Sequence, residues 1–511
     1  SDPNQNAAGS GSSYTYQYGT NGLLERETNA IGNTTDYQYN DRMLLEKKTD
    51  SAGEDTIYTY DSLNRVESVR DALGTITYTY DRNGNITEVK EKESGLLGTV
   101  RTVNRTYDNL NRVTSYTDYQ GRTVSYGYDE LGNRSQVNYP GGEIVRYTYR
   151  TDGTVSGMSG DHFGKTAYSY DRYGRLARIQ RADGSEETRS YDTAGQLIKQ
   201  MDTDAKGKLL QEQTYSYNVF GEVIEKQVTD PMDTSRLEVV QMEYNAANRL
   251  TKYNGQEVQY DAKGNMVYGP VDGTMQHLTY DCRNRLVEAG GISYEYDAEN
   301  TRTASVCGKK RTEYVTDTSG SLSRLLLAYE ADGTTTSYAY GAEGLTAQYN
   351  SGTEQNLLYH YDNIGSTTLL TNLTGTIIER FAYGTYGELL QKAKNAVRFL
   401  YNGSYGVVTD ENGLYYMRAR YYNPNIKRSL NQDIKVGDIS NGQGLNRYAY
   451  CEGNPVSMVD PFGLSPQISQ DQTSRFSVLH NILDLAGLAF DAADVINAAF
   501  YAAEGDWTNA A

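Results

Sequence analysis

The chain has 511 residues and a formal net charge of −18, with 48 Lys and Arg against 66 Asp and Glu. It holds 48 Tyr and 50 Gly but only 8 Phe and 8 Pro. This excludes a nucleic-acid binder built on basic phosphate contacts, a disordered chain, which would lack the aromatics, and one thick core of Leu, Ile, Val and Phe. Three cysteines, Cys282, Cys307 and Cys451, cannot all pair with one another and match no zinc spacing. Neither a disulfide framework nor a metal or cofactor site is expected from them.

Residues 1–13 are small and polar and read as a linker or scar. No initiating Met and no basic-then-apolar leader is present, so the chain is expected to begin inside a longer precursor. From Tyr14 onward a repeat takes over. Tyr58-Thr-Tyr60-Asp61 is followed by Tyr78-Thr-Tyr80-Asp81, and later copies put Asp108, Asp129, Arg150, Asp171 and Asp192 at intervals of 21 residues. A stretch such as Gly74-Thr-Ile-Thr-Tyr-Thr-Tyr80 alternates residue types with period 2 and is rich in β-branched and aromatic side chains, which predicts a strand. The Asp-x-x-Gly or Asp-x-x-Asn that follows supplies turn chemistry, and Ile86-Thr-Glu-Val-Lys90 predicts the returning strand. One repeat is therefore one hairpin. A lone hairpin is marginal, so neighbours must pair edge to edge. Tyr and Asp sit at fixed hairpin positions, which points to scaffold roles rather than to sugar stacking or calcium binding. Tyr rings are expected to ladder on one face with their hydroxyls in water.

These Tyr-Asp units, over residues 14–340, resemble the Rhs/YD-repeat family, which includes bacterial polymorphic toxins, the C subunits of insecticidal toxin complexes and the animal teneurins. The resemblance implies an all-β fold. Consecutive hairpins would join into a continuous spiralling sheet, a hollow shell that encloses a toxic C-terminal polypeptide.

Beyond Tyr340 the strict period fades. Tyr359-His-Tyr361-Asp362, Tyr383-Gly-Thr-Tyr386-Gly387 and Phe399-Leu-Tyr401-Asn-Gly403 predict further hairpins. Then come Tyr415-Tyr416-Met-Arg418-Ala-Arg420-Tyr421-Tyr422-Asn423-Pro424, Arg428-Ser-Leu-Asn-Gln-Asp433, Leu445-Asn446-Arg447-Tyr448 and Asp460-Pro461-Phe462-Gly463-Leu464. This ordered series is similar to the Rhs-associated core domain over residues 341–464. The resemblance implies a β-rich plug that is also an intramolecular aspartyl protease, cutting Leu464–Ser465 at the end of the Asp460, Pro461, Gly463, Leu464 motif. Such chemistry needs two carboxyls close enough that one is held protonated beside the other.

Asp433 matches the second family aspartate and is the main catalytic candidate; the alternative is that it caps a turn. The first partner is open. Many relatives carry Asp where this chain has Asn423, and toxin-complex C subunits carry it at the place of Tyr421. Lys427, Ser429 and Ile434 also depart from the pattern. The partner is then Asp438 or Asp460, or cleavage is slow or lost. For Arg420 and Arg428 two roles stand side by side: orienting a catalytic carboxylate, or, with Arg418, bridging the plug to the sheet. His162, His277, His360 and His480 lie apart from any Ser or Cys string, which argues against a nucleophilic hydrolase.

Residues 465–511 read as the start of a C-terminal effector region. Within it 476–503 repeats apolar residues at helical spacing, interrupted by Asp484, Asp491 and Asp494. A short helical segment similar to the family's pre-toxin region is expected there, and no membrane span. The functional expectation is an encapsulating scaffold of a secreted polymorphic toxin, secreted from or displayed on a bacterium. Its partner would be its own C-terminal toxin region, with an immunity protein or a secretion-system component beyond that, and no nucleic acid through the shell. The alternative is a surface adhesion module whose sheet binds a protein or glycan.

Overall fold

A computed structural model describes residues 14–29, 31–228, 240–245, 247–320, 322–391, 393–394, 397–434, 444–464 and 466–468. The linker read at 1–13 and the helical pattern at 476–503 lie outside the described residues. The described chain is all-β apart from two short 3-10 turns, Gly403–Tyr405 and Cys451–Gly453.

The first sheet has 20 antiparallel strands, from Thr15–Tyr18 to Val223–Val228. Each strand pairs with the next in sequence, so the whole sheet is one meander. A small sheet of Met242–Tyr244, Leu250–Tyr253 and Gln256–Glu257 follows. The second long meander has 13 strands, from Gln259–Tyr260 to Ile377–Arg380. A four-stranded sheet, Val408–Thr409, Tyr415–Met417, Arg420–Asn423 and Arg428–Ser429, and the pair Met458–Val459 with Gln467–Ile468 complete the C-terminal part.

The second meander crosses the boundary expected between residues 340 and 341. Strand Thr335–Gly341 pairs directly with Gly344–Asn350, and the sheet continues to Arg380. The cause is local. Tyr361-Asp362 carries the same turn chemistry as the repeats before it: Asp362 Oδ1 accepts the Ser366 N–H at 2.8 Å, and the Tyr361 hydroxyl donates to the Leu345 carbonyl.

That turn chemistry explains the repeat. In the first repeats the pairing register slips one step before the second Tyr, at Gln38/Tyr39, Thr59/Tyr60 and Thr79/Tyr80. The bulge aims this Tyr back along the sheet. Its hydroxyl is not left to water, as expected, but donates to a backbone carbonyl of the preceding hairpin: Tyr60 to Leu45 at 2.8 Å, Tyr80 to Val66 at 2.7 Å, Tyr128 to Val113 at 2.7 Å and Tyr170 to Val155 at 2.7 Å. The next residue, Asp61, accepts the N–H groups of Leu63 and Arg65 at 2.8 and 3.0 Å, and its other oxygen takes Arg65 Nε at 2.7 Å. The Arg65 guanidinium then lies 4.3 Å from the centre of the Tyr80 ring in the following repeat. Arg112 over Tyr128 and Arg175 over Tyr191 repeat this at 4.3 and 4.4 Å. Tyr, Asp and Arg thus link three successive hairpins.

The first Tyr points inward in many units: Tyr58, Tyr78, Tyr126 and Tyr168 are all buried. These rings join Val69, Ile76, Val89, Val124 and Ile179 of the first sheet and Val315, Ala328, Tyr338, Ala339 and Leu358 of the second in one cluster. The core is a thin double layer, with Tyr supplying bulk that Leu and Phe supply elsewhere. Polar contacts cross it. Tyr139 donates to the Tyr338 carbonyl at 2.6 Å, Arg134 meets Asp317 at 2.8 Å, Arg105 meets Glu299 at 2.6 Å and His360 meets Asp202 at 2.8 Å.

Candidate cleavage site

The site grows from one hairpin. Strands Tyr415–Met417 and Arg420–Asn423 pair with Tyr415 opposite Tyr422, Tyr416 opposite Tyr421 and Met417 opposite Arg420. The facing Tyr rings lie 6.1 and 5.2 Å apart, which fixes the strands by cross-strand packing. Only Arg418 and Ala419 form the turn, and Arg418 has φ 63.

Arg420 opens the second strand and is buried, with 5% exposure. Its Nη2 lies 2.8 Å from Asp433 Oδ2 and 3.2 Å from Asp460 Oδ2. Its Nε donates to the Gly463 carbonyl, and its Nη1 to the Arg447 carbonyl at 3.0 Å. Two carboxylates from distant parts of the sequence therefore share one guanidinium nitrogen. The desolvation cost of burying them is offset by these charge-assisted contacts to Nη2.

Asp433 follows the strand Arg428–Ser429. Its N–H donates to the Arg447 carbonyl at 2.8 Å, and Arg447 Nε returns a bond to the Asp433 carbonyl at 2.6 Å. Asp460 starts the motif turn. Its carbonyl accepts the Gly463 N–H at 3.2 Å, and its Oδ1 accepts the Leu464 N–H at 3.0 Å. The residue on the acyl side of the expected break is thus tied to one of the two carboxylates. A cavity of about 40 Å³ lies alongside, lined among others by Arg285, Arg420, Asn431 and Ile434. It is large enough to hold a water beside Arg420.

The other candidates fall elsewhere. Arg428 donates to the Asn248 carbonyl and stacks 4.4 Å from the Tyr244 ring, so it joins the C-terminal part to the small three-stranded sheet. Asn423 donates to the Pro270 carbonyl at 2.8 Å and accepts the Asn425 N–H at 3.0 Å, a turn role. The Tyr421 hydroxyl meets the Tyr296 hydroxyl at 3.0 Å. Lys427 lies 3.6 Å from Glu388, and the Ser429 N–H donates to the Tyr448 carbonyl. Asp438 and Ser465 lie outside the described residues. Sequence reasoning missed Arg447, which holds both Asp433 and Arg420. Its position in the Leu445-Asn446-Arg447-Tyr448 string was the only available signal. Among the described residues no group of three or more His, Cys, Asp or Glu is placed to hold a metal ion, and no helix is long and apolar enough to cross a membrane.

A sequential meander of Tyr-Asp hairpins, followed by a Tyr-rich C-terminal unit that buries two carboxylates on one arginine, defines the chain as a YD-shell protein. The comparisons agree. The family described as Teneurin YD-shell matches residues 186–425, and the RHS Repeat family matches 60–93 and 107–144. Together these cover more than half of the chain, which belongs to the Rhs/YD-repeat family.

Among its relatives is the tRNA nuclease WapA of Bacillus subtilis, 28% identical over 408 residues, covering 77% of this chain and 16% of WapA. Another is the double-stranded DNA deaminase toxin A of Burkholderia cenocepacia, 27% identical over 392 residues, covering 70% of this chain and 25% of that one. The crystal structure of TcdB2-TccC3-Cdc42 superposes with a TM-score of 0.63 at 17% identity, covering 93% of this chain and 29% of that one. The likeness to that structure shows a shared fold. The chain thus spans a quarter or less of the length of both these relatives.

Proposed function

We propose that this chain is the wall-and-plug portion of a secreted toxin, in which the YD sheet encloses a C-terminal effector and the plug severs the link after Leu464. The observation that carries the reading is the sharing of Arg420 by Asp433 and Asp460, with Gly463 and Leu464 tied into the same cluster. Of the two partners open for Asp433, Asp460 is the one that supports this reading. In it, one carboxylate takes a proton from water as the oxygen attacks the Leu464 carbonyl carbon. The other carboxyl, in its acid form, protonates the departing Ser465 nitrogen as the C–N bond breaks. Arg420 fixes both oxygens and acts as the orienting group.

The adhesion alternative calls for exposed Tyr clusters. Tyr58, Tyr78, Tyr126 and Tyr168 are instead buried, and Tyr60, Tyr80, Tyr128 and Tyr170 spend their hydroxyls on the neighbouring hairpin, while Tyr16 and Tyr18 of the first strand stay exposed. Encapsulation is the reading these tyrosines favour. The test is intact-mass analysis of the purified full chain. Wild type should separate into fragments ending at Leu464 and starting at Ser465, whereas Asp433→Asn and Asp460→Asn should stay whole. An intact wild type, or variants cut as completely as wild type, would remove the protease role.

A further inference from the structure

The hairpin tip grips three consecutive carbonyls of the cleavage motif. Arg418 Nη1 donates to Pro461 O at 2.6 Å, the Ala419 N–H to Phe462 O at 3.1 Å, and Arg420 Nε to Gly463 O. Arg420 also holds the carboxylates. Arg418 instead reaches away from them. Its Nη2 donates to Ser323 O at 2.6 Å and to Tyr405 O at 2.8 Å, and its Nε to Ser323 Oγ at 3.0 Å. Ser323 stands immediately before strand Arg324–Tyr329 of the second sheet, and Tyr405 ends the 3-10 turn Gly403–Tyr405. One guanidinium therefore meets the motif, the wall and the plug.

Three features show that the position is built for this contact. All four of these acceptors are neutral, so the charge is not there to balance a carboxylate. Removal from water pushes the Arg418 pKa down to about 10, and the side chain still enters as a cation at neutral pH. The backbone is also unusual. A tight two-residue hairpin turn with positive φ favours Gly, Asn or Asp, yet this turn uses Arg. Finally, the motif lies hard against the tip. A Cβ on Gly463 (φ 70) would stand 2.7 Å from Met417 O and 3.0 Å from the Arg420 nitrogen. A tip that carries a costly residue and leaves no slack beneath it sets the register of the strand it touches.

We infer that Arg418 is a positioning residue that holds the Asp460–Leu464 segment in cleavage register only once Ser323 of the second sheet and Tyr405 of the 3-10 turn are in place to accept its other hydrogen bonds. A guanidinium without those two acceptors turns to water and presents no fixed donor to Pro461. Cutting is thereby made to follow closure of the wall, so that the effector is severed only after it is enclosed. This rests on the protease reading above and adds to it an order of events.

The test uses the full chain and follows the intact mass with time after refolding from urea. Arg418→Gly suits the left-handed turn, so it removes the guanidinium while leaving the tip conformation at ease. It should cut on the order of 100-fold more slowly than wild type, the scale of a misplacement of about 1 Å. Added ethylguanidinium should restore part of the rate, and potassium at equal concentration should not. Arg418→Lys, which keeps the charge without the fork, serves as the second variant should the first fail to fold, and should also cut slowly at an unchanged urea midpoint. In wild type, fragments should appear only after the near-ultraviolet signal of packed Tyr has returned. Arg418 variants that cut at the wild-type rate, or fragments that precede the Tyr signal, overturn the inference. A wild type that never cuts overturns both this inference and the protease reading beneath it.

Discussion

Each second tyrosine of the repeat is worth more for its oxygen than its exposure suggests. The Tyr60 hydroxyl closes a bond to Leu45 in the preceding hairpin, and burial pushes its pKa up to about 12, with Tyr39 adding a smaller rise and Arg42 opposing it. Tyr60→Phe keeps the ring and removes only this bond. It should cost about 1 kcal/mol, whereas Tyr173→Phe, on an exposed turn, should cost almost nothing. Urea midpoints of the two variants make the comparison, and equal midpoints would remove the stapling role. The sign of the pH effect follows. The folded pKa is raised above the unfolded value near 10, so this contribution is complete below pH 10 and is lost as the pH climbs from there toward 12.

At the scale of one element, the hairpin is specified by what its turn residues accept and by where a side chain has no room. Strand Gly74–Tyr80 begins at a glycine with φ 155. A Cβ there would stand 2.1 Å from Lys92 O and 2.9 Å from the Glu93 Cα on the neighbouring strand. Gly74→Ala must therefore push two backbones apart and is expected to cost about 1–3 kcal/mol. Gly84→Ala shares the positive φ but meets open space, so it should cost less. Hydrogen exchange of the Thr75 and Lys92 amides would report the difference, and identical protection in both variants would count against the clash. The hairpins were legible in the sequence because their period, turn residues and β-branched content all agree. The bulge was not, because it changes pairing by one residue without any residue type of its own. The true edge of the second sheet was missed for a related reason. Residues 341–380 lose the 21-residue period, yet Asp362 and Tyr361 keep the contacts that make a repeat.

For the whole molecule, the decisive region is the seam where the two long sheets face each other. Asp297 lies there, 1% exposed, at the turn between strands Ile292–Tyr296 and Arg302–Cys307. Burial first, and then the charge of Glu299, pushes its pKa up to about 8. A carboxyl with a raised folded pKa holds a proton that the unfolded chain releases. Stability is then greatest below about pH 4 for this group and declines as the pH rises toward 8, by up to about 1.4 kcal/mol per pH unit. Asp297→Asn keeps the acceptor for the Glu299 and Thr301 N–H groups and removes the titration. Urea midpoints at about pH 5 and about pH 8 should differ for wild type and converge for the variant. An unchanged difference in the variant would place the pH dependence elsewhere.

The candidate site shows the same division between chain and fold. Asp433, Asp460 and Arg420 were each visible as motif residues, and Arg428 looked equivalent to Arg420. Both open short strands, but Arg420 opens one that faces the motif, while Arg428 opens one that faces Tyr244. Asn423, the place where a missing carboxylate raised doubt, turned out to serve a turn against Pro270.

The sequence by itself determined the hairpin, its repetition and the family, because those depend on contacts between residues at most one or two hairpins apart. It also marked Asp460–Leu464 as the motif at which cleavage is proposed. Only the tertiary structure decided that Asp460 joins Asp433 on one arginine, that Arg418 ties the motif to the wall, and that the tyrosines fill a double-layered core. Those facts depend on which strand faces which across long stretches of chain, and local residue pattern carries no information about a face until the sheet has curled back upon itself.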